Sequence, residues 1–313
     1  MIWPRCLGLT VAVAAAAAGA AAGGTGTSPA CFGAAARDPQ HPCHNTALDQ
    51  SVTPSVEDSL LTPDAPCAIV RSARPLVCTF GRPRSGARRD FASIGDSHSA
   101  HWRAALTVVA DANGWHGYQL YQTSCPFSLA PTVLRPLRFR ECEQWRHDVI
   151  AWMRAHPAVD TVVVSEHRVH VQIPAGASRL RTEVSGYLRA WAALPATVRH
   201  IVVIRDTPYN FFSTNRCIAQ ALRGHHRPGI VCQIPIGTAL RGDPAAVAAR
   251  HLHSARVRVV DMTHYFCSAR FCFPVIGGVR VHKDDDHITR VYSTSLGPYL
   301  RRAIARALSA PGT

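Results

Sequence analysis

The sequence contains no Cys-x-x-Cys pair, although cysteine occurs 11 times in 313 residues. It also has no internal repeat, no long linker and no multi-helix membrane segment. Acidic residues are scarce, with 20 Asp and Glu against 34 Lys and Arg. Each absence excludes something. Without closely paired cysteine ligands, a cysteine-based metal site is not expected. Without repeats or linkers, a solenoid or a string of small modules is not expected, and a 47% hydrophobic composition supplies a proper core. The shortage of acids leaves a formal net charge of +14, carried mostly by arginine and densest from Arg82 to Arg89. No basic stripe is interleaved with aromatics, so nucleic acid is not the expected partner. Anionic envelope polymers or lipid head groups fit a basic surface better, and a simply solvated surface fits it as well.

What is present begins with a leader. Met1 to Arg5 is a charged start, and Leu7 to Ala22 is almost entirely Ala, Val, Leu and Gly. Residues 1–30 therefore read as a secretory signal or a single anchor. Cleavage is favoured, because an anchor needs about 20 strongly apolar residues and an alanine-rich run only approaches that. The expected location is extracytoplasmic, secreted or anchored by this segment. Ten cysteines follow the leader and fall into sequential couples: Cys31/Cys43, Cys67/Cys78, Cys125/Cys142, Cys217/Cys232 and Cys267/Cys272. An even number at short spacings in an exported chain reads as a disulfide framework with local pairing.

Residues 31–89 are rich in Pro, Asp, Ser and Cys and show no long helical period, so they form an irregular, disulfide-stapled N-terminal extension. Leu76 to Phe80 is a candidate strand, expected to turn back onto Asp90 to Gly95 as a hairpin. From residue 90 to 313 the pattern changes. Apolar strands are expected at Phe91–Gly95, Tyr118–Gln122, Val159–Ser165, His200–Arg205 and Val257–Asp261. Helical periodicity lies between them, notably at Ser178–Leu194 and Pro244–His253, with a last helix from about Ser293 to Leu308. Valine-rich strands alternating with helices predict a five-stranded parallel sheet covered on both faces, a three-layer α/β/α sandwich.

The first core strand stops at Gly95-Asp96-Ser97 and a helix follows. Ser97 thus sits at a strand-to-helix turn on the carboxyl edge of the sheet, where ligands bind and free helix amides point. A serine needs a base to remove its proton, and the base needs an orienter. Both are available in His282-Lys283-Asp284-Asp285-Asp286-His287, between the terminal hairpin and the last helix. His287 is the candidate base, and Asp284, three residues earlier, can hold the other ring nitrogen. The ordinary reading of each piece is blander, a chance Gly-Asp-Ser and a helix-capping run of Asp. Their placement at the first core strand and just before the last helix favours the catalytic reading. His98, beside the candidate nucleophile, has two readings, a second base or substrate contact and an ordinary role in the first helical turn, of which the second is favoured. Trp102 and Trp145 are expected in the core, and Arg290 and Lys283 as solvated neighbours. A metal site from Asp284 to His287 plus His98 lacks any known ligand spacing, so no metal and no cofactor are expected.

Gly95-Asp96-Ser97-His98 and Asp284-x-x-His287 resemble the first and last blocks of the SGNH (GDSL-like) hydrolase superfamily. More narrowly, the chain resembles the extracytoplasmic SGNH domain associated with acyltransferase-3 membrane proteins. The narrower likeness includes Ser99-Ala100-His101-Trp102, Ser124-Cys125-Pro126, Cys142-x-x-Trp145, Val162 to Ser165 and Asp284 to Thr289. The resemblance implies a flavodoxin-like sheet and a serine esterase or O-acyltransferase that forms an acyl-enzyme. In it Ser97 is the nucleophile, His287 the base and Asp284 its orienter. The wider superfamily completes its oxyanion hole with a glycine and an asparagine. Here Thr123-Ser124-Cys125 and Ser165-Glu166-His167 stand instead, so the expected donors are the Ser97 amide, the Ser124 backbone and His167. The implied substrate is an acylated or acyl-accepting envelope glycan, with a membrane protein as a possible acyl donor and a monomer as the expected state. The alternative is a non-catalytic module on the same scaffold that grips envelope polymer.

The cysteine reading makes a direct prediction. Closing a loop of about 15 residues contributes about 3 kcal/mol in the chain-entropy account. Dithiothreitol is therefore expected to lower the melting temperature by several degrees, and thermal unfolding with and without it is the check. Coincident curves would contradict a framework of five bridges.

Overall fold

Runs of valine and isoleucine form the central strands because branched side chains fit a pleated, buried surface. The computed structural model describes residues 28–310. The expected leader falls almost wholly on residues 1–27, outside them. Seven strands make one sheet: β1 (Ala68–Arg71), β2 (Val77–Gly81), β3 (Arg89–Gly95), β4 (Trp115–Tyr121), β5 (Val159–Ser165), β6 (His200–Ile204) and β7 (Val257–Val260). Their order across the sheet is β1-β2-β4-β3-β5-β6-β7. The five strands from β4 to β7 in that order are parallel and are the ones anticipated. Two antiparallel strands from the N-terminal extension widen the sheet beyond them.

The expected hairpin between β2 and β3 does not form. Instead β2 pairs with β4, with Cys78 opposite Gln119 and Phe80 opposite Gly117. The reason lies in β3, which is buried from Phe91 to Gly95 and has a parallel partner on each side. With both its edges taken, the free edge for β2 is that of β4.

Period-two alternation assigns the two faces. Ile94, Val162, Val164, Ile201 and Val203 meet helices α3 (Pro136–Ala155), α4 (Arg179–Ala193) and α6 (Pro244–His251) through Trp145, Met153, Trp191 and Ala248. On the other side Phe91, Val163, Val202 and Ile204 meet α2 (Arg103–Asn113) and α7 (Arg290–Ser309) through Leu106, Val109, Leu296 and Leu300. Two further helices bear on the site or its surroundings, the short α1 (Ser97–His101), directly before α2, and α5 (Phe212–Arg223). Trp102 and Trp145 are both buried. Disulfides join Cys31 to Cys43, Cys67 to Cys78, Cys125 to Cys142, Cys217 to Cys232 and Cys267 to Cys272.

The terminal helix starts earlier than its apolar period suggests. Thr289 caps it by accepting from the Tyr292 amide at 3.1 Å, while its own hydroxyl donates to Arg280 O at 2.7 Å. The same residue thereby anchors the loop that carries Asp284 and His287. Contact between α7 and α2 is close enough that a Cβ on Gly297 would stand 2.4 Å from Val108 Cβ. Gly297→Ala must push the two helices apart, with an expected loss of about 1–3 kcal/mol. Urea unfolding measures it, and an unchanged midpoint at unchanged slope would contradict the packing.

Candidate functional site

The carboxyl ends of β3, β5 and β6 lie side by side, and the residues just beyond them build the site. Gly95 ends β3 with φ +153°. A Cβ there would lie 2.3 Å from Ser165 O, so only glycine lets β3 and β5 stay paired to their tips. The next residue, Asp96, is buried and accepts two amides, His98 N through Oδ1 and His167 N through Oδ2, both at 2.9 Å. That carboxylate caps α1 and ties it to the loop after β5. Ser97 is the first residue of α1, a position whose amide has no acceptor within the helix.

The loop between the terminal hairpin and α7 is closed by a bridge between His282 and Ile288 and by Lys283 N donating to His287 O at 2.9 Å. Asp284 Oδ1 accepts the amides of Asp286 and His287 at 3.1 and 2.7 Å. His287 Nδ1 lies 2.9 Å from Asp284 Oδ2, and its Nε2 lies 2.8 Å from Ser97 Oγ. The structure thus brings together Ser97, His287 and Asp284, although 190 residues separate the first two. Asn210 steadies the loop from β6, donating its amide to Asp285 O at 2.6 Å and Nδ2 to Asp284 O at 3.2 Å. Lys283 is not a free cation beside the site, because its Nζ pairs with Asp64 at 3.0 Å.

Several residues of the site were not anticipated. Asp206, just beyond β6, holds His98 Nδ1 at 2.6 Å and accepts the Thr207 amide at 2.8 Å. Its own amide donates to Asp243 Oδ2 at 2.9 Å, and Asp243 caps α6. His98 therefore does more than occupy a helix start. It is a fully buried imidazole paired with a carboxylate from a strand 108 residues away. Asp286 places Oδ1 2.8 Å from His287 Nδ1, making a second carboxylate on that imidazole. Asp206 had one legible signal, an acid two residues after the apolar run Ile201–Ile204 and thus on the ligand-binding edge.

Residues 63–302 match the family described as the SGNH domain (fused to AT3 domains). The chain belongs to that SGNH family. No curated protein matches the sequence. Among solved structures, it is similar to one titled "Structure of Salmonella ser. Paratyphi A lipopolysaccharide acetyltransferase periplasmic domain". The TM-score is 0.50 at 13% identity, over 70% of this chain and 85% of that one. At that identity the likeness is one of fold.

In this SGNH domain the three positions expected to donate to an oxyanion differ in their commitments. The His167 amide is taken by Asp96, and its ring stands with Nε2 3.2 Å from Tyr209 Oη and Nδ1 3.5 Å from Asp206 Oδ2. Ser124 has a left-handed backbone, φ +59°, and lines a cavity of about 200 Å³ with Gln122, Leu134, Arg135 and Arg138. Gln122 N donates to Gly95 O at 3.2 Å, which places that cavity's wall next to the turn bearing Ser97.

Burial and pairing compete over the charges. Burial works against a cation on His98, but Asp206 beside it prevails and holds its pKa well above the ordinary value. For Asp206 burial favours the neutral acid, yet the His98 charge prevails and brings its pKa down to about 2. For His287 burial again opposes the cation, but its hydrogen bonding to the Asp284 and Asp286 carboxylates raises its pKa to about 9. His101 behaves oppositely. It is buried, with nearby His98 and His287 adding positive charge, and its pKa falls well below the usual value. Among the described residues two groups, His98 with Asp286 and His287, and His98 with His167 and Asp206, bring potential metal-ligand atoms within 4.8 Å of one another. The imidazole–carboxylate pairs just described account for this closeness.

These shifts set a stability window. The raised His287 pKa contributes stability fully below about 6.5, its ordinary value, and loses it as pH rises through 9. The depressed Asp206 pKa contributes above about 3.9 and loses that as pH falls toward 2. Melting temperature is thus expected to decline from pH 6.5 to 9 and to decline less in His287→Gln. Scanning calorimetry of both proteins across that range decides, since parallel slopes would show that His287 carries no such linkage.

Proposed function

We propose that this SGNH domain is an extracytoplasmic serine esterase or O-acyltransferase acting on ester groups of envelope glycans. The observation that carries the reading is the contact of Ser97 Oγ with His287 Nε2 at 2.8 Å, with His287 Nδ1 held by Asp284 at 2.9 Å. That is the geometry in which a neutral imidazole removes the serine proton while its other nitrogen stays fixed. Family membership supports acyl chemistry. The description of the family as fused to AT3 domains, and the periplasmic lipopolysaccharide acetyltransferase domain as a structural neighbour, support placement outside the cytoplasm and a glycan substrate.

The steps follow from the contacts. Ser97 Oγ attacks the acyl carbonyl as His287 Nε2 takes its proton. The tetrahedral oxyanion then faces the free Ser97 amide at the positive end of α1, with the Ser124 backbone as the second donor. His287 returns the proton to the departing alcohol oxygen, leaving an acyl-Ser97 ester. Water or a sugar hydroxyl next gives its proton to His287 and attacks that ester, and Ser97 recovers its proton on release. Hydrolysis and transfer differ only in this last acceptor. A transferase would need acyl groups supplied from a donor, and a membrane partner protein is a fitting source.

Because the imidazole is held cationic at neutral pH, the acyl-transfer rate is expected to climb toward pH 9 as His287 loses its proton. With p-nitrophenyl acetate, wild type should release nitrophenol in this pH-dependent way. Ser97→Ala should fall by roughly 10³-fold or more. Equal background rates for the two proteins would overturn the enzyme reading and leave a polymer-binding module, which a glycan pull-down insensitive to Ser97→Ala would then identify.

A further inference from the structure

His287 Nδ1 faces more carboxylate than one proton can serve. Asp284 presents Oδ1 at 3.0 Å and Oδ2 at 2.9 Å, and Asp286 presents Oδ1 at 2.8 Å. A single N–H must be split between the two groups or given to one of them, and either way they bring two negative charges against one ring nitrogen. The opposite oxygen of Asp286 points to a different set of partners. Its Oδ2 lies 3.4 Å from Tyr209 Oη and 3.9 Å from both His98 Nε2 and His167 Nδ1. Those two nitrogens are buried with no well-formed hydrogen bond, His167 Nδ1 having Asp206 Oδ2 at 3.5 Å as its nearer carboxylate. His98 itself cannot turn away, since Asp206 grips its Nδ1 at 2.6 Å and the ring is buried. Asp286 is therefore the one side chain of the loop that touches the base on one side and faces the buried His98–Asp206 pair on the other.

We propose that Asp286 is a positioning residue that shares His287 Nδ1 with Asp284, and that the His98–Asp206 pair behind it tempers its charge, the two together setting how readily the base releases its proton. The inference rests on the reading of His287 as the base. The surroundings of His287 are otherwise these: from its own loop Asp284, with Lys283 drawn off to Asp64; from α1 His101, whose ring centroid is 5.9 Å away, beside His98 at 5.0 Å. Beyond Asp286 stand Asp206, Tyr209 and His167, and His282 lies buried at the base of the loop. Burial keeps His101 and His282 below their ordinary pKa, so neither supplies a competing cation at neutral pH. Removing a carboxylate from His287 should make it a weaker base, and removing the His98 cation should make it a stronger one. A purely structural role for either residue predicts no such opposition of sign.

The experiment is a pH titration of the full chain by NMR with ¹⁵N-labelled histidine, the His287 ring signals being assigned by their loss in His287→Gln. Asp286→Asn is expected to lower the His287 midpoint by about one unit or more, the size of effect of a carboxylate in contact with a cation. His98→Gln is expected to raise it. An unchanged midpoint in Asp286→Asn, or a shift in the same direction for both variants, overturns the proposal. Should His98→Gln fail to fold, His98→Asn replaces it, with the same upward shift expected because it too removes the imidazole that faces Asp286. This readout needs no turnover. If the midpoints move as stated while wild type hydrolyses no ester, the arrangement stands and the esterase reading falls; if both hold, the alkaline limb of the rate profile follows the midpoints.

Discussion

Charge taken out of water must be paired, and the carboxyl edge of this sheet is organised around that constraint. Asp96, Asp206, Asp284 and Asp286 converge there with His98, His167 and His287, and two of them, Asp96 and His98, are almost fully buried. Losing one partner of such a pair leaves the other uncompensated, which costs about 3–5 kcal/mol in buried ion pairs. The cluster consequently locks several loops to one another. Asp96 ties α1 to the loop after β5, Asp206 ties the loop after β6 to His98, and Asp286 reaches from the last loop toward both. Ser97 and His287 meet because all of these attachments are satisfied together.

The sheet makes that convergence possible. Parallel strands send all their carboxyl ends to one side, so the residues following β3, β5 and β6 share an edge without further device. Strand β3 lies between β4 and β5, which puts Ser97 near the middle of that edge. Gly95 then allows β3 and β5 to remain in contact up to their last residues. On the far side, Thr289 fastens the His287 loop to Arg280 while capping α7, and α7 in turn packs on α2, the helix that continues from the serine turn. The path from Ser97 to His287 through the protein is therefore short, although the path along the chain is long.

Much of this was legible before any coordinates. Val159–Ser165 was readable residue for residue as a strand, because a valine-rich segment between helices has one comfortable place, the middle of a parallel sheet. The positions of Ser97, Asp284 and His287 were legible as candidates, since their spacing and their place at element boundaries are sequence properties. The partner of β2 was not, because a strand and a short connection do not reveal that both edges of β3 are already occupied. Nor was the pairing of His98. A histidine one residue into a helix has many uses, and only the neighbouring Asp206, delivered by another strand, selects one.

The sequence by itself determined the alternation of strands and helices, the side of the sheet each apolar residue faces, and the types of residue able to carry acyl chemistry. These follow from local periodicity and side-chain chemistry, which need no knowledge of distant neighbours. Only the tertiary structure decided which carboxylates surround His287, which imidazoles are buried against a carboxylate, and which amide remains free at Ser97. Those properties depend on distances of about 3 Å between residues far apart in the chain, and on how much water is excluded between them. No run of the sequence encodes either quantity on its own.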